Sequence, residues 1–429
     1  MKEVSPARAV AFGVIRASFE DGAHTERAFA EAAAARELPG RERAQAQRLA
    51  YGAVQRRGTS DAAIARLSNR PPQQLDPVVL AGLRLGLFEL LFSDATPDHA
   101  AVDQAVELVK QAGAAHAAGL VNAVLRRAVR EREAIVAELL DDDSTPERAA
   151  VAHSAPLWLA QMWWEELGAE GARSLLASCN EPPESAFRVN TLRTDREAVL
   201  EKLRDAGVEA APAKGEGPLA APEMIVIQGR TGEIVPELVV AGELTPQSRG
   251  SAAAVEVLDP QPGEHILDLC AGPGIKTGQI AARMDDRGEV ISVESDPDRA
   301  AEVADQARRL GLRSVTVLEA DAMQAGMAPE FDRVLLDAPC SNLGALASRP
   351  DSRWRKSPAA IERLVEVQAQ LLRRAREALR PGGVLVYSTC TISSRENEKQ
   401  LVGGQRIQLR PDLDCTTGFF IARLSRDDA

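Results

Sequence analysis

The chain is poor in the residues that mark several large classes of protein. Cysteine occurs five times in 429 residues, at positions 179, 270, 340, 390 and 415, with no Cys-x-x-Cys pair. An odd number at such spacings excludes a disulfide framework and a thiolate metal site, and suits a reducing cytoplasm. No apolar run approaches the roughly 18 residues that span a bilayer, so no membrane association is expected. The opening MKEVSPARAVAFGVIRASFEDG has charged residues in its candidate apolar stretch and no small-residue cleavage site, so no signal peptide is expected. Aromatic residues are only 3%. With Ala and Arg plentiful, that scarcity reflects a GC-rich coding background and carries no functional information. An excess of positive charge is also missing. The formal net charge of −12 excludes the simplest nucleic-acid binder, a chain basic throughout. What remains is ordinary globular material, 45% apolar and 27% charged, long enough for two or three domains.

Charge is unevenly spread. Residues 1–140 hold 18 basic and 17 acidic residues, whereas the other residues hold 33 and 46. The first region has local arginine clusters: Arg41, Arg43 and Arg48; Arg56 and Arg57; Arg126, Arg127, Arg130 and Arg132. The default reading is solvated helix faces, and the functional one a phosphate-facing surface. Apolar residues recur there with helical period. The run VVLAGLRLGLFELLF over 78–92, preceded by Asp76-Pro77, predicts a capped central buried helix. Residues 1–140 therefore read as an all-α domain, and the acidic stretch 141–146 as a linker. Residues 146–250 read as a connector with a small α+β unit. It has a helix carrying Trp158, Trp163 and Trp164, a strand at 186–190, a helix capped near Thr194 and Asp195, and a strand at 224–228. The tryptophans are expected in the core. Arg188 and Asn190 either pair within the unit or reach RNA.

From about Pro260 strands and helices alternate, which predicts a parallel sheet in residues 251–429 with its ligand at the carboxyl ends of the strands. The strand HILDL (265–269) enters the loop Cys270-Ala271-Gly272-Pro273-Gly274-Ile275-Lys276. Cys270 and Ile275 break the phosphate-loop pattern, and Gly272, Gly274 and Gly278 miss the dinucleotide spacing by one residue. Glu294 ends the next strand, where a carboxylate suits a ribose hydroxyl pair, and Asp321 follows the third. With Asp268 these carboxylates repel a pyrophosphate but suit a cofactor bearing sulfonium and ammonium groups, S-adenosylmethionine. Two further strands end in Asp337-Ala-Pro-Cys340-Ser341 and Ser388-Thr389-Cys390-Thr391. Both cysteines border one crevice. The single histidine of this half, His265, starts a strand at the far end of the sheet, so a Cys–His hydrolase is hard to build.

The segments DLCAGPGIKT, LLDAPCSNLG, RPDSRW, LVYSTCTISSRENE and GFFIARL resemble the motifs of RNA 5-methylcytosine methyltransferases. The segments HAAVDQAVELVK and AAGLVNAVLRR resemble the last helices of NusB-type RNA-binding domains. Together they make nearly the whole chain similar to the bacterial Sun/Fmu-type methyltransferases of small-subunit ribosomal RNA. The resemblance implies a multidomain protein: an all-α NusB-like domain, the α+β connector, and a C-terminal α/β Rossmann-like methyltransferase domain. It implies S-adenosylmethionine as cofactor, held by residues 270–276, Glu294, Asp321 and Asp337, and ribosomal RNA as partner, with no metal. It further implies Cys390 as the nucleophile that adds to cytosine C6, Asp337 at the base edge, and Cys340 in product release. DNA cytosine methyltransferases use the cysteine of the Pro-Cys motif instead, so the reversed assignment stays open. Two departures from the family pattern stand out. Ile275 occupies a loop position usually held by glycine, where a β-branched side chain disfavours positive φ. The stretch after Glu398 is short, which predicts a trimmed sheet edge. Both favour the alternative of a non-catalytic RNA-binding or assembly factor. Arg349, Arg353, Arg355 and Lys356 are the expected basic patch on this acidic half.

Overall fold

Ser5 starts the first helix by accepting the Arg8 backbone N–H, with Pro6 in the first turn where no donor is missed. The computed structural model describes residues 3–93, 96–326, 328 and 330–426. They divide into two units, Met1–Glu181 with Leu346–Lys356, and Pro182–Ala345 with Ser357–Ala429. In the first, the helices α1 (Pro6–Glu20), α2 (Thr25–Ala34), α3 (Gly40–Gln55), α4 (Arg57–Ser68), α5 (Pro77–Phe92), α6 (Asp98–Val109), α7 (Ala118–Arg130), α8 (Arg132–Leu139), α9 (Pro146–Ala152) and α10 (Leu157–Ser178) follow one another. α5 is the apolar run read from sequence. Asp76 caps it by accepting the Val78 N–H, and it is buried on nearly every side against α1, α3, α6 and α7. Gly86 allows this packing, since a Cβ there would lie 2.7 Å from Leu125 Cδ1. The two charged residues of α5 are both buried and both paired. Arg84 holds Asp61 through two hydrogen bonds, and Glu89 receives Arg8 at 2.7 Å. Trp163 is fully buried on α10, as its apolar setting predicts.

The second unit contains two sheets. The strands β1 (Ala186–Val189), β2 (Glu209–Pro212), β3 (Met224–Gln228) and β4 (Leu244–Pro246) form an antiparallel sheet in the order β2-β3-β1-β4, with α11 (Arg196–Asp205) and α12 (Ile234–Val240) interleaved. β2 and β4 are missed from sequence because they are short and each ends in proline. Arg188 and Asn190 do not face solvent. Arg188 is 1% exposed and donates to Gln247 Oε1, Gly278 O and Ile275 O, and Asn190 donates to Gly242 O and Leu310 O. The RNA-reaching reading of these two residues is therefore replaced by the structural one.

After α13 (Arg249–Leu258) comes the larger sheet. Its strands are β5 (His265–Asp268), β6 (Glu289–Glu294), β7 (Val315–Glu319), β8 (Phe331–Asp337), β9 (Leu379–Thr389), β10 (Gln405–Leu409) and β11 (Phe419–Ser425). The order is β10-β11-β9-β8-β5-β6-β7, parallel from β7 to β9 and antiparallel at β11 and β10. The helices α14 (Ile275–Arg283), α15 (Pro297–Leu310) and α16 (Pro358–Ala378) provide the crossovers. The fold is the Rossmann-like one expected. The sheet reverses its winding between β5 and β8, and such a switch opens a crevice at the carboxyl ends of the strands. The expected trimmed edge is not found. Gly403 and Gly404, at φ 75° and 76°, turn the chain directly into β10, which fills that edge without the longer excursion. Among the described residues, no helix is long and apolar enough to cross a membrane.

The segment Leu346–Lys356 leaves the second unit and completes the first. Arg353, 1% exposed, donates to Ser154 O at 3.0 Å, Cys179 O at 2.9 Å and Asn180 Oδ1 at 3.1 Å. Trp354 Nε1 donates to Val54 O at 2.8 Å, and the Arg57 guanidinium lies 5.2 Å from its ring. Of the expected basic patch, Arg353 turns inward, whereas Arg349 and Arg355 stay exposed and Lys356 half-buried. Arg353 is an internal clamp, and Arg355 donates to Gly22 O at 2.6 Å, because an arginine fork satisfies several chain-end carbonyls at once. Arg353→Met is expected to destabilise the first unit by about 2–4 kcal/mol through stranded carbonyls. Thermal unfolding monitored by circular dichroism checks this; an unchanged midpoint would show that water replaces the guanidinium.

Candidate active site

The loop between β5 and α14 is shaped by two glycines. Gly272 and Gly274 have φ of 56° and 82°, and Gly274 caps α14. A Cβ on Gly274 would meet Val303 Cα at 3.1 Å, whereas nothing lies within 4 Å of one on Gly272. Gly272 therefore borders open space. Ile275 is the first residue of α14 and has no positive φ. The strain expected from its β-branched side chain is absent, since the left-handed positions fall on the glycines on either side of Pro273. The loop is pinned by Ala271 N–H to Val293 O at 3.0 Å and by Gly272 N–H to Glu294 Oε2 at 2.9 Å.

Around this loop carboxylates gather. Asp268 is 1% exposed; its Oδ2 accepts the Thr277 hydroxyl at 2.7 Å and its Oδ1 has no hydrogen-bond partner. Burial pushes its carboxyl up to about 7, against the Thr277 hydrogen bond and with Asp337 adding repulsion. The Cys270 thiol is also raised, first by burial and then by the fields of Asp268, Asp337, Glu294 and Asp321. All four carboxylates thus act on one spot beside the loop. Glu294 also accepts the Asp296 N–H, and Asp321 caps its own turn by accepting from Met323 N–H and Gln324 Nε2.

One cation enters this acidic setting. Lys276 Nζ donates to Asp337 Oδ2 at 2.6 Å and lies 5.1 Å from the Phe419 ring centre. Burial opposes its charge, yet Asp337, with Cys390 and Asp268 adding, raises its pKa above the ordinary lysine value. Asp337 Oδ1 accepts the Ser388 hydroxyl at 2.8 Å. Asp337 and Ser388 are register partners of β8 and β9, so the loops after them begin side by side. That brings the Cys340 and Cys390 sulfurs to 3.4 Å. Asn342, at φ 60°, meets both: its Oδ1 accepts the Cys390 thiol at 2.8 Å and the Cys340 thiol at 3.6 Å. The Cys340 thiol is 7% exposed and raised well above its usual value, by its hydrogen bond to Cys390, by burial, and by the charges of Cys390 and Glu396.

The loop 270–276, Glu294, Asp321, Asp337, Cys340 and Cys390 thus lie at the carboxyl ends of the parallel strands. His265 pairs with Glu289 at 3.0 Å at their opposite ends. The sequence reading missed the ion-pairing of Lys276 and the parts of Asn342 and Glu396. A lysine opening a helix toward a crowd of carboxylates was the available signal for the first; local sequence carries none for the others.

Residues 255–416 match the family described as 16S rRNA methyltransferase RsmB/F. The chain is 34% identical, over 92% of its length and 88% of the other, to the Synechocystis protein described as probable ribosomal RNA small subunit methyltransferase B. The chain belongs to this RNA methyltransferase family. Residues 5–130 match the NusB family, and residues 155–225, which include β1 and β2 of the small antiparallel sheet, match the ferredoxin-like domain of RsmF/B-like methyltransferases. The Bacillus subtilis protein of the same description is 33% identical over 88% of this chain and 83% of its own. Among solved structures, that of PH0851 superposes with a TM-score of 0.82 at 26% identity, covering 99% of both chains.

The raised Asp268 carboxyl has a consequence for stability. A carboxyl whose folded pKa lies above its unfolded value favours the folded state at low pH and loses that contribution as pH rises through the folded value. Asp268→Asn should therefore gain stability over the wild type between pH 4 and 7, by roughly 2–4 kcal/mol at the upper end. Thermal unfolding across that range tests it; a difference independent of pH would mean that the charge is fully compensated.

Proposed function

We propose that this protein transfers a methyl group from S-adenosylmethionine to C5 of a cytosine in small-subunit ribosomal RNA, through a covalent Cys390–C6 adduct. The observation that carries this reading is the pair of sulfurs 3.4 Å apart beside the Lys276–Asp337 ion pair. A reaction that adds a thiolate and later expels it has use for two cysteines. Membership of an RNA methyltransferase family supports the same reading, as do the four carboxylates around the loop, which suit a cofactor with two positive groups.

The residues fit that cofactor. Asp268 Oδ1 is buried and orphaned, and open space lies over Gly272. The loop 270–276, Glu294, Asp321 and Asp337 would hold S-adenosylmethionine, which supplies the methyl group as a sulfonium electrophile. Cytosine C5 is a weak nucleophile, so the ring needs activation first. The Cys390 thiolate bonds to C6, and the C5–C6 π electrons become available at C5. Asp337, with the proton held between it and Lys276, hydrogen-bonds the N3/N4 edge and stabilises the charge that develops there. After methyl transfer the C5 proton departs and its electron pair restores the C5–C6 double bond. The Cys390 sulfur leaves with the electrons of its bond to C6 and takes the S–H proton of Cys340, which takes up the C5 proton in its place. Charge supports this division of roles over its reverse. Cys390 interacts with the Lys276 ammonium, whereas Cys340 is more deeply buried and feels the Glu396 carboxylate. The cytosine must be unpaired or flipped to reach such a crevice.

The alternative of a non-catalytic binding factor loses its two supports, since Ile275 is unstrained and β10 fills the sheet edge. We assign the helical domain, residues 1–140, to RNA affinity, the α+β connector to 146–250 and the methyltransferase domain to 251–429, in a cytoplasmic protein. Not every arginine of the first domain is available. Arg56 and Arg57 lie over the Phe92 and Phe19 rings, Arg127 is tied to Glu131 and Leu67 O, and Arg132 to Asp98. Arg41, Arg43, Arg48, Arg126 and Arg130 remain exposed.

The decisive assay follows labelled methyl transfer to small-subunit ribosomal RNA. Cys390→Ala should abolish transfer and any adduct, while Cys340→Ala should accumulate an RNA adduct that survives denaturant. The converse pattern would reverse the two roles, and transfer that survives loss of both sulfurs would sink the mechanism. Arg126→Glu with Arg130→Glu should weaken RNA binding and lower the slope of log affinity against log salt by roughly one for each phosphate no longer neutralised. An unchanged slope in filter binding would move the RNA surface elsewhere.

A further inference from the structure

Beneath the two cysteines lies a carboxylate that the chemistry above does not use. Glu396 is fully buried, from the run Arg395-Glu396-Asn397-Glu398. Its Oε1 accepts the Ser341 backbone N–H at 2.8 Å and a Gln368 Nε2 hydrogen at 3.1 Å. Its Oε2 accepts the Ser341 hydroxyl at 2.5 Å and the Thr391 hydroxyl at 3.4 Å, and these two hydroxyls are 2.6 Å apart. Ser341 follows Cys340, and Thr391 follows Cys390. One carboxylate therefore holds the residue after each sulfur. Gln368, on α16, also donates to Pro339 O at 3.0 Å, and the Tyr387 hydroxyl donates to Glu396 O at 2.6 Å. Asn397 extends the arrangement by accepting the Thr389 hydroxyl at 2.6 Å and donating to Thr391 O at 3.1 Å, so Cys390 is bracketed on both sides. A buried carboxylate is costly unless hydrogen bonds meet it, and four donors from three segments converge on this one. None of them is needed to close a strand or a helix.

We propose that Glu396 is a positioning residue of the active site, whose buried carboxylate clamps the two cysteine loops together and sets the separation of their sulfurs. The proposal rests on the reading that both cysteines work in one reaction. The clamp also grades the sulfurs electrically. Cys340 faces Cys390, Glu396 and Tyr387, whereas Cys390 also has Lys276 near it. The negative charge of Glu396 thus adds to what keeps Cys340 a thiol, the state a proton relay beside a nucleophile requires.

Glu396→Gln, in the full chain, keeps the shape and removes the charge. Three readouts are compared with the wild type: methyl transfer to small-subunit ribosomal RNA, S-adenosylmethionine binding by calorimetry, and the pH midpoint of iodoacetamide alkylation at Cys340 and Cys390, resolved by peptide mass spectrometry. Transfer should fall roughly tenfold or more, since misplacement on an ångström scale costs about that much. Cofactor binding should stay within about threefold, because the loop 270–276 is untouched. The Cys340 midpoint should drop by about one pH unit and the Cys390 midpoint by less, because removal of a nearby negative charge makes the thiolate easier to form. An unmoved Cys340 midpoint, or loss of cofactor binding together with transfer, would reduce Glu396 to a scaffold residue and overturn the proposal. Alkylation requires neither RNA nor methyl transfer, so it reports on the clamp even if the wild type methylates no cytosine. If the Gln variant does not fold, Ser341→Ala takes its place. It keeps the carboxylate and removes one hydroxyl from the clamp, so transfer should fall several-fold with the Cys340 midpoint unchanged. Full activity in that variant overturns the clamp.

Discussion

Lys276 carries a positive charge into a place where burial alone would strip it, and keeping that charge organises the methyltransferase unit. Its partner Asp337 ends β8, and the other oxygen of that carboxylate takes the Ser388 hydroxyl from β9. The ion pair therefore joins the start of α14 to the ends of two neighbouring strands. Asp337 and Ser388 are register partners, and the cysteines follow them by three and two residues. The meeting of the sulfurs is thus a consequence of strand register. A slip of one residue would turn one of the two away. The same lysine stands beside Cys390 and offsets part of the field of the surrounding carboxylates. The glycine loop, the Asp337 carboxylate and the Cys390 sulfur share one electrostatic anchor.

What could be read from the sequence was what depends on local pattern. Apolar runs bounded by Gly, Pro and Asp gave β5 and β6 and the carboxyl ends of β8 and β9, because a buried parallel strand must be apolar and must stop at a turn, whereas the start of β9, four residues earlier at Leu379, was read as helix. The helix α5 was legible for the same reason, through Asp76-Pro77 and an unbroken apolar stretch. Cys340 and Cys390 were legible as strand-end residues. Features that depend on pairing between distant residues were not. β2 and β4 are too short to show a period, and β10 is recognised only by its partner β11. Ile275 was misjudged because the number of glycines was legible while the positions of the left-handed residues were not.

Arginine misled most. Arg188 and Arg353 read as candidates for an RNA surface, yet both are 1% exposed and end on carbonyl or amide oxygens. The cause is the guanidinium itself, whose fork of donors can satisfy several oxygens where helices and loops terminate. Burial lowers the pKa of each, but from so high an ordinary value that the charge survives. An arginine can thus serve as internal mortar where a lysine would cost more. Segment 346–356 shows what this allows. A loop covalently continuous with the Cys340 turn packs into the helical unit through Arg353 and Trp354.

The acidity of the chain beyond residue 140, odd for an enzyme that meets RNA, follows from what its centre must do. Carboxylates such as Asp268, Glu294 and Asp321 suit a cationic cofactor but oppose a thiolate, and they raise the thiol at Cys270, which shares their neighbourhood. In the proposed reaction a thiolate nucleophile needs a cation beside it, and Lys276 keeps its charge through the Asp337 carboxylate hydrogen-bonded to it. In that reaction Asp337 would serve both the lysine and the base. Affinity for the RNA backbone is a different electrostatic task, and it suits the exposed arginines of the helical region, where no thiol needs tuning. Separating the two tasks along the chain lets each keep the sign of charge that its chemistry demands.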